Sequence, residues 1–230
     1  MKPWNVLGRT RAPDGTELTL TQHTSEYLIL ADGQCLMSSR MHGSEDVLGL
    51  VGCRRARALA RPSVLVGGLG MGFTLRAALD CLPQAARVLV AELVPAVVEW
   101  NRGQLGALAS RPLDDPRVQV EEGDVAAIMR SSPGRFDAVI LDVDNGPVAL
   151  TASSNARLYD RDGVAVALAS LAPDGVLAVW SPRDDLQFER RLRAAGFGVQ
   201  RERVRSRLGG RGSRHTILVA HKRPSTRKEG

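Results

Sequence analysis

Short apolar runs alternate with helix-like patterns along the middle of the chain. The runs rich in Val, Leu and Ile occupy residues 63–67, 87–91, 117–120, 136–141 and 175–180. Between them, apolar residues recur at helical spacing over 72–81, 95–104, 124–130 and 160–171. Strands that are apolar on both faces are typical of a parallel sheet covered by helices. The pattern therefore predicts an α/β protein with a doubly wound sheet.

The beginning of the chain follows a different pattern. Residues 16–38 alternate between apolar and polar side chains, and Asp14-Gly15 and Asp32-Gly33 are typical of hairpin turns. This segment predicts a small antiparallel unit of two or three strands. Apolar residues at helical spacing over 44–60 predict a helix that joins this unit to the rest of the chain.

The end of the chain predicts an antiparallel hairpin. A helix over 184–195 precedes two strands, over 197–205 and 215–220, with a glycine-rich turn between them. The expected fold is a Rossmann-like seven-stranded doubly wound sheet with a terminal antiparallel hairpin, preceded by a small N-terminal β unit. The expected divisions are a β unit (1–40), a linker helix (41–62), a ligand-binding domain (63–222) and a basic tail (223–230).

The composition is that of an ordinary globular protein. Hydrophobic residues make up 43% and charged residues 24% of the 230 positions, which suffices for a sizeable core without disulfides. The three cysteines form no C-x-x-C pair, which favours a reducing compartment, and the histidines do not cluster with acids, so no metal is expected. Without an apolar signal or spanning segment, the chain is expected to be cytoplasmic, with no membrane partner.

The positive charge is concentrated near the end of the chain. The formal net charge is +6, yet residues 201–230 hold ten Lys or Arg and two Glu, which leaves the preceding residues with a net charge of −2. Clustered cations can bind nucleic-acid phosphates, but no aromatic residue lies beyond Phe197 to stack on bases. A solvated edge hairpin is therefore favoured, and nucleic acid is the less favoured partner.

A glycine-rich corner and an acidic residue mark the first two strands of the predicted sheet. Between strand 63–67 and its helix stand Gly67, Gly68, Leu69, Gly70 and Gly72. Glycines here permit a tight turn and a close approach of ligand to backbone. Glu92 ends the next strand, 22 residues after Gly70 and just before Leu93, where an acid can bind both hydroxyls of a ribose.

Acidic residues also follow the third and fourth strands. Asp124, between Gly123 and Val125, could hold an adenine amino group or cap the helix over 124–130. Asp142 and Asp144 follow the fourth strand. Ligands of open α/β sheets bind at the carboxyl ends of strands, so these features predict one adenosine-type site. NAD and S-adenosylmethionine both suit it, and the closing hairpin and paired acids favour the cationic sulfonium ligand.

Five segments form a series that resembles a known family. They read VLVGGLGMGFTLRAAL, VLVAELVPAVVEWNR, DPRVQVEEGDV, FDAVILDVDNGP and LAPDGVLAVW. In order and spacing they resemble the spermidine synthase (polyamine aminopropyltransferase) family, over about residues 16–220. The resemblance implies a class I S-adenosylmethionine-dependent methyltransferase fold preceded by a small β domain.

The resemblance also implies roles for individual residues. Glu92 would hold the ribose, Asp124 the adenine amino group and residues 67–72 the methionine-derived arm. Asp142 would orient or deprotonate an acceptor amine, and Asp144 is a second candidate carboxylate for a cationic acceptor. Gly70 stands where the family has an aspartate that grips the aminopropyl ammonium of the donor.

The expected function is alkyl transfer to a small, amine-bearing acceptor. The co-substrate would be S-adenosylmethionine or decarboxylated S-adenosylmethionine, and methyl transfer is favoured because Gly70 removes the discriminating acid. The alternatives are an aminopropyltransferase that makes a polyamine, a nucleic-acid methyltransferase that uses the basic strip, and a catalytically degenerate nucleoside-binding protein.

Further candidates concern the acceptor pocket and the assembly. The candidates for the pocket are His42, Asn145, Tyr159 and Trp180. For His42 a solvated loop position is the favoured interpretation, and core packing explains the two aromatic residues as well as a pocket does. The exposed edges of the N-terminal hairpins predict a homodimer.

Overall fold

The N-terminal part of the chain forms a four-stranded antiparallel sheet. The computed structural model describes residues 3–143, 157–207 and 212–223. The strands of the first sheet are β1 (Asn5–Arg11), β2 (Glu17–His23), β3 (Glu26–Ala31) and β4 (Gln34–Ser38), paired in that order. The expectation of two or three strands missed β1, because Gly8 and a register shift between Val6 and Gly8 interrupt its alternation.

The remaining strands form the predicted seven-stranded sheet. They are β5 (Ser63–Gly67), β6 (Arg87–Glu92), β7 (Val118–Glu122), β8 (Phe136–Leu141), β9 (Leu171–Ser181), β10 (Phe197–Arg205) and β11 (Arg214–Lys222). Their order is β10-β11-β9-β8-β5-β6-β7. Strands β5 to β9 pair in parallel, whereas β11 is antiparallel to both β9 and β10. The expected doubly wound sheet with a terminal antiparallel hairpin is confirmed.

Helices connect and cover the strands of the main sheet. They are α1 (Gly43–Gly52), α2 (Phe73–Cys81), α3 (Pro95–Arg102), α4 (Val125–Arg130), α5 (Arg161–Ser170) and α6 (Leu186–Ala194). The sequence predicted a helix to residue 60, but α1 ends at Gly52, and a short 3-10 turn, Ala56–Ala58, follows it. Leu59 contributed to the predicted spacing although its side chain is 42% exposed, so the apolar pattern there did not reflect burial.

The two sheets share one hydrophobic core. Leu20 and Ile29 of the N-terminal sheet belong to the same buried cluster as Leu48 of α1 and Val66 of β5. On β1, a Cβ added to Gly8 would lie 2.7 Å from the indole nitrogen of Trp100. The N-terminal sheet therefore packs directly against the main domain, next to the carboxyl ends of its parallel strands.

Ion pairs occupy part of the basic hairpin. Arg201 donates to Glu189 and Asp184, and Arg203 also pairs with Asp184, at 2.7 Å. Lys222 is directed at the carbonyl oxygen of Leu171. These cations already have partners within the fold, which weakens the interpretation of this hairpin as a phosphate-binding strip.

The sequence analysis also expected no membrane-spanning segment and no metal site. Among the described residues, no helix is long and apolar enough to cross a membrane. Within those same ranges, His, Cys, Asp and Glu side chains form no group of three that could hold a metal ion. The expected divisions at 1–40, 41–62, 63–222 and 223–230 and the expected homodimer stay predictions.

Candidate functional site

A cavity of about 300 Å³ lies at the carboxyl ends of the parallel strands. The main domain lines it with Gly68, Gly70, Ala91, Glu92, Leu93, Val94, Val97, Gly123, Asp124, Val125, Asp142 and Val143. The N-terminal sheet and its turns line the other side with Ala12, Pro13, Asp14, Thr16, Leu18, Ile29, Ala31, Leu36 and Met37. The structure thus brings most of the predicted nucleoside-binding residues together, under a cover that the sequence did not reveal.

The glycine corner brings the backbone of three strands close together. Gly68 has a φ of +88°, and its N–H donates to the carbonyl oxygen of Ala91 on β6 at 2.9 Å. A Cβ at this position would lie 2.3 Å from the carbonyl oxygen of Asp142. The corner therefore requires glycine for its left-handed conformation and for its contact with the end of β8.

At Gly70 the neighbouring side chain is a methionine from the other sheet. A Cβ added to Gly70 would lie 3.1 Å from the sulfur of Met37 on β4. Asn101 of α3 donates to the carbonyl oxygen of Gly70 at 2.8 Å. Met37 therefore occupies space into which a longer side chain at position 70 would extend.

Glu92 is buried at the end of β6, with both carboxylate oxygens bound to backbone. They accept hydrogen bonds at 2.9 Å from the N–H groups of Leu69 and Val94. Burial raises the pKa of Glu92, and the backbone donors oppose that shift by stabilising the carboxylate. Glu92 thereby fixes the glycine corner while it lines the cavity. Leu69 itself lies deeper, beside the smaller cavity described below.

Asp124 caps a helix and also lines the cavity. Its carboxylate accepts the N–H of Ala126 at 2.8 Å at the start of α4. The N–H of Gly123 donates to the carbonyl oxygen of Glu92 at 2.8 Å, which holds the two strand ends together. Capping one end of α4 leaves the second carboxylate oxygen of Asp124 for a ligand, so the two sequence interpretations are compatible.

Asp142 lies where the large cavity meets a second, smaller one. The smaller cavity holds about 30 Å³ and is lined by Met37, Ser38, Glu45, Leu69, Gly70, Met71, Phe73 and Asp142. Thr74 of α2 donates a short hydrogen bond to the Asp142 carboxylate. Burial raises the pKa of Asp142 to about 6, so this carboxyl can exchange a proton near neutral pH.

Glu45 is a second acid beside Asp142, half-buried as Asp142 is, and the sequence analysis missed it. It lies in the first turn of α1 and accepts a hydrogen bond from the Ser44 hydroxyl at 2.7 Å. Burial, and then the nearby charge of Asp142, raise the pKa of Glu45 to about 7. An acid in the first turn is common in any helix, so nothing in the local sequence distinguished Glu45.

The structure does not bring every predicted residue to the cavities. His42 stacks on Phe73 and pairs with Asp46 at 2.8 Å. Tyr159 is buried against Phe188 in the core on the other face of the sheet, and Trp180 packs edge-on against a histidine of β11. None of the three lines either cavity. Asp144 and Asn145 lie outside the described residues.

Glu45→Gln is expected to remove a pH dependence of stability. The folded-state pKa of Glu45, about 7, lies above that of an unfolded glutamate, so its stabilising contribution is present at low pH and is lost as pH rises through 7. From pH 8 to pH 6, the free energy of unfolding of the wild type should rise by about 1 kcal/mol relative to the variant.

Urea unfolding at the two pH values measures this difference. Burial lowers the pKa values of His215 and His221, so these two histidines make the wild type and the variant less stable as the pH falls. The effect of Glu45 is therefore measured as the difference between the two proteins. Glu99→Gln, at an exposed position of α3, serves as the control. Parallel pH profiles for wild type and Glu45→Gln would contradict the assignment.

Comparison with known proteins gives a consistent family match. Residues 44–190 match the model of the spermine/spermidine synthase domain. A polyamine aminopropyltransferase of Mycobacterium tuberculosis is 33% identical over 146 residues, which is 60% of this chain and 27% of the relative. Polyamine aminopropyltransferase 2 of Pseudomonas aeruginosa is 33% identical over 120 residues, 50% of this chain and 32% of the relative. The match thus spans less than a third of each of these relatives.

Solved structures show the same fold. A spermidine synthase in complex with the transition-state analogue AdoDATO superposes with a TM-score of 0.71 at 18% identity, covering 94% of this chain and 72% of that one. The spermidine synthase from Thermotoga maritima superposes with a TM-score of 0.70 at 19% identity, with the same coverage. The similarity includes the N-terminal sheet as well as the main domain.

Proposed function

The chain belongs to the spermine/spermidine synthase domain family, and on this premise we propose that it transfers the aminopropyl group of decarboxylated S-adenosylmethionine to the nitrogen of a small aliphatic amine. The larger cavity would hold the nucleoside. Glu92 and Asp124 would face the ribose and the adenine, and the glycine corner would face the arm on the sulfur. The relatives named as polyamine aminopropyltransferases support this reaction class.

The observation that carries the proposal is the pair of half-buried acids beside the glycine corner. Glu45 and Asp142 line the same small cavity, and among the described residues that line either cavity there is no Lys or Arg. Two carboxylates that are partly removed from water and lie close together are unfavourable without a cation, and a cationic ligand lessens that cost. A sulfonium donor and a protonated amine acceptor are both cations of the required kind.

The same acids favour the decarboxylated donor. The α-carboxylate of intact S-adenosylmethionine would add a third negative charge beside Glu45 and Asp142, and like charges in a buried site repel strongly. The sequence analysis favoured methyl transfer because position 70 lacks an acid. Glu45 supplies an acid close to Gly70 from another element, so aminopropyl transfer becomes the better supported reaction.

The reaction is a displacement at the carbon next to the sulfonium sulfur. The amine nitrogen forms a bond to this carbon, the C–S bond breaks, and its electron pair stays on sulfur as the neutral thioether methylthioadenosine. The site must align nitrogen, carbon and sulfur and exclude water, and the N-terminal sheet that covers the cavity serves this purpose. The amine attacks only without its proton, and the Asp142 carboxylate is placed to accept it.

Incubation with each donor and a panel of aliphatic di- and triamines tests the proposal. We expect mass spectrometry to find methylthioadenosine and an aminopropylated amine with the decarboxylated donor, and no methylated amine with S-adenosylmethionine. Methylated product would instead support methyl transfer. Nucleoside binding by calorimetry without any product would indicate a catalytically degenerate protein, and binding of neither donor would overturn the proposal.

A further inference from the structure

A row of hydrogen bonds leads from Glu45 to the protein surface. The Ser44 hydroxyl, fully buried, lies 2.7 Å from Oε2 of Glu45 and 2.9 Å from Nδ1 of His215 on β11. The other ring nitrogen of His215, Nε2, lies 3.0 Å from the hydroxyl of Ser213. Ser213 is exposed, so each polar group in the row has its next partner within hydrogen-bond distance until solvent is reached.

We propose that this row is the exit path for the proton that Asp142 takes from the acceptor amine. The proton would pass from Asp142 to Glu45, then through Ser44 to His215, and from there to solvent at Ser213. The inference rests on the proposed function, since only a reaction that deprotonates an amine loads Asp142 with a proton. While the products fill the larger cavity, this row would let Asp142 lose its proton and be ready for the next turnover.

The first transfer crosses the smaller cavity. Asp142 and Glu45 both line it, and its volume of about 30 Å³ is sufficient to admit a water molecule. A single water there can accept a proton from one carboxyl and donate one to the other. Burial raises the pKa of both carboxyls into the neutral range, so each can hold the proton in turn and neither retains it strongly.

The second transfer needs no movement of heavy atoms. With Glu45 protonated, its O–H donates to Ser44, whose own O–H donates to the bare Nδ1 of a His215 ring that carries its proton on Nε2. Shifting both protons along the row leaves Glu45 ionised and His215 protonated on both nitrogens. Release of the Nε2 proton to solvent then leaves a neutral ring with its proton on Nδ1, so one proton enters and one leaves. Rotation of the ring by about 180° about its Cβ–Cγ bond turns a bare nitrogen back toward Ser44 for the next turnover.

The surroundings of the row suit transient protonation. Burial lowers the pKa of His215, so the ring releases its proton rather than keeping it. Trp180 of β9 packs edge-on against the ring, with centroids 4.8 Å apart. Glu45 is faced by Asp142 and by Asp46, and Asp46 is engaged with His42. Among the described residues, no Lys or Arg contributes to the pKa shift of Glu45 or His215.

The decisive variant is His215→Ala, assayed in the full chain with the decarboxylated donor and an accepted amine. We expect kcat to fall at least about tenfold with KM nearly unchanged, because substrate binding is intact while proton release becomes slow. Millimolar imidazole, which can enter the space of the lost ring and carry the proton, should restore turnover. The pH profile of kcat should shift to higher pH, where hydroxide can take the proton directly.

Two further variants separate proton transfer from structure. His215→Asn keeps a donor near the position of Nδ1 but cannot carry a proton, so it should be as slow as His215→Ala, whereas a structural role would be rescued by it. His221→Ala, on the same strand, should behave as wild type. Full activity of His215→Asn, or no response of His215→Ala to imidazole, would overturn the path. Absence of product in the wild type would instead overturn the proposed function.

Discussion

Asp142→Asn is expected to lower kcat by roughly 10²–10⁴-fold, the range that a positioned general base contributes, while nucleoside binding is retained. Asparagine has the volume of aspartate and can still accept the hydrogen bond from Thr74, but it cannot take a proton from the amine. Product formation followed by mass spectrometry, together with calorimetry of the donor, measures both parts of this expectation.

The matched control is Asp80→Asn, at the other end of α2. Asp80 is exposed and pairs with Arg76 one turn earlier in the helix. It lines neither cavity. Its activity should equal that of the wild type. A variant at position 142 that keeps more than a third of wild-type turnover would show that another group accepts the proton.

Gly68→Ala is expected to destabilise the fold by about 3 kcal/mol or more. The added methyl group would lie 2.3 Å from the carbonyl oxygen of Asp142. The backbones on both sides of this contact are held in place, because the N–H of Gly68 donates to Ala91 and the N–H of Asp142 donates to Gly67. Because neither side can move freely, the clash adds to the strain of a left-handed alanine. Urea unfolding measures the loss as a lower midpoint.

Gly134→Ala separates the two contributions. Gly134 also has a positive φ, +65°, but a Cβ there meets nothing within 4 Å. Only the conformational cost, about 1 kcal/mol, should remain. Equal destabilisation of the two variants would mean that the close approach of Gly68 to Asp142 contributes nothing to the rigidity of the corner.

The order of elements and the strand-end residues that line the larger cavity could be predicted because they depend on local sequence. Strand β8 matches its predicted range, 136–141, since apolar runs of this kind mark buried parallel strands. The glycine corner and the acid that ends β6 follow from the same reasoning, because strand ends of a parallel sheet meet at one edge. Their convergence on one cavity is therefore a consequence of topology.

The other half of the site could not be predicted, because it depends on contacts between distant segments. Glu45 approaches Asp142 only through the packing of α1 on α2, where Gly49 lets the helices meet closely. Met37 reaches Gly70 only because the N-terminal sheet lies over the cavity. His42 lines neither cavity, and its stacking on Phe73 and its hydrogen bond to Asp46 agree with the favoured interpretation of this histidine as a residue without a role in the pocket.

Because the N-terminal sheet covers the cavity, a ligand bound there would contribute to the packing of this sheet on the main domain. Leu18, Ile29 and Leu36 contribute to the cavity wall, and two of them are also part of the shared core. A nucleoside held between both sheets would act as a reversible cross-link, whose affinity adds to the adhesion of one sheet to the other. Substitutions that weaken the packing between the two sheets would then lower ligand affinity although they remove no polar contact. A saturating concentration of ligand would offset their effect on stability.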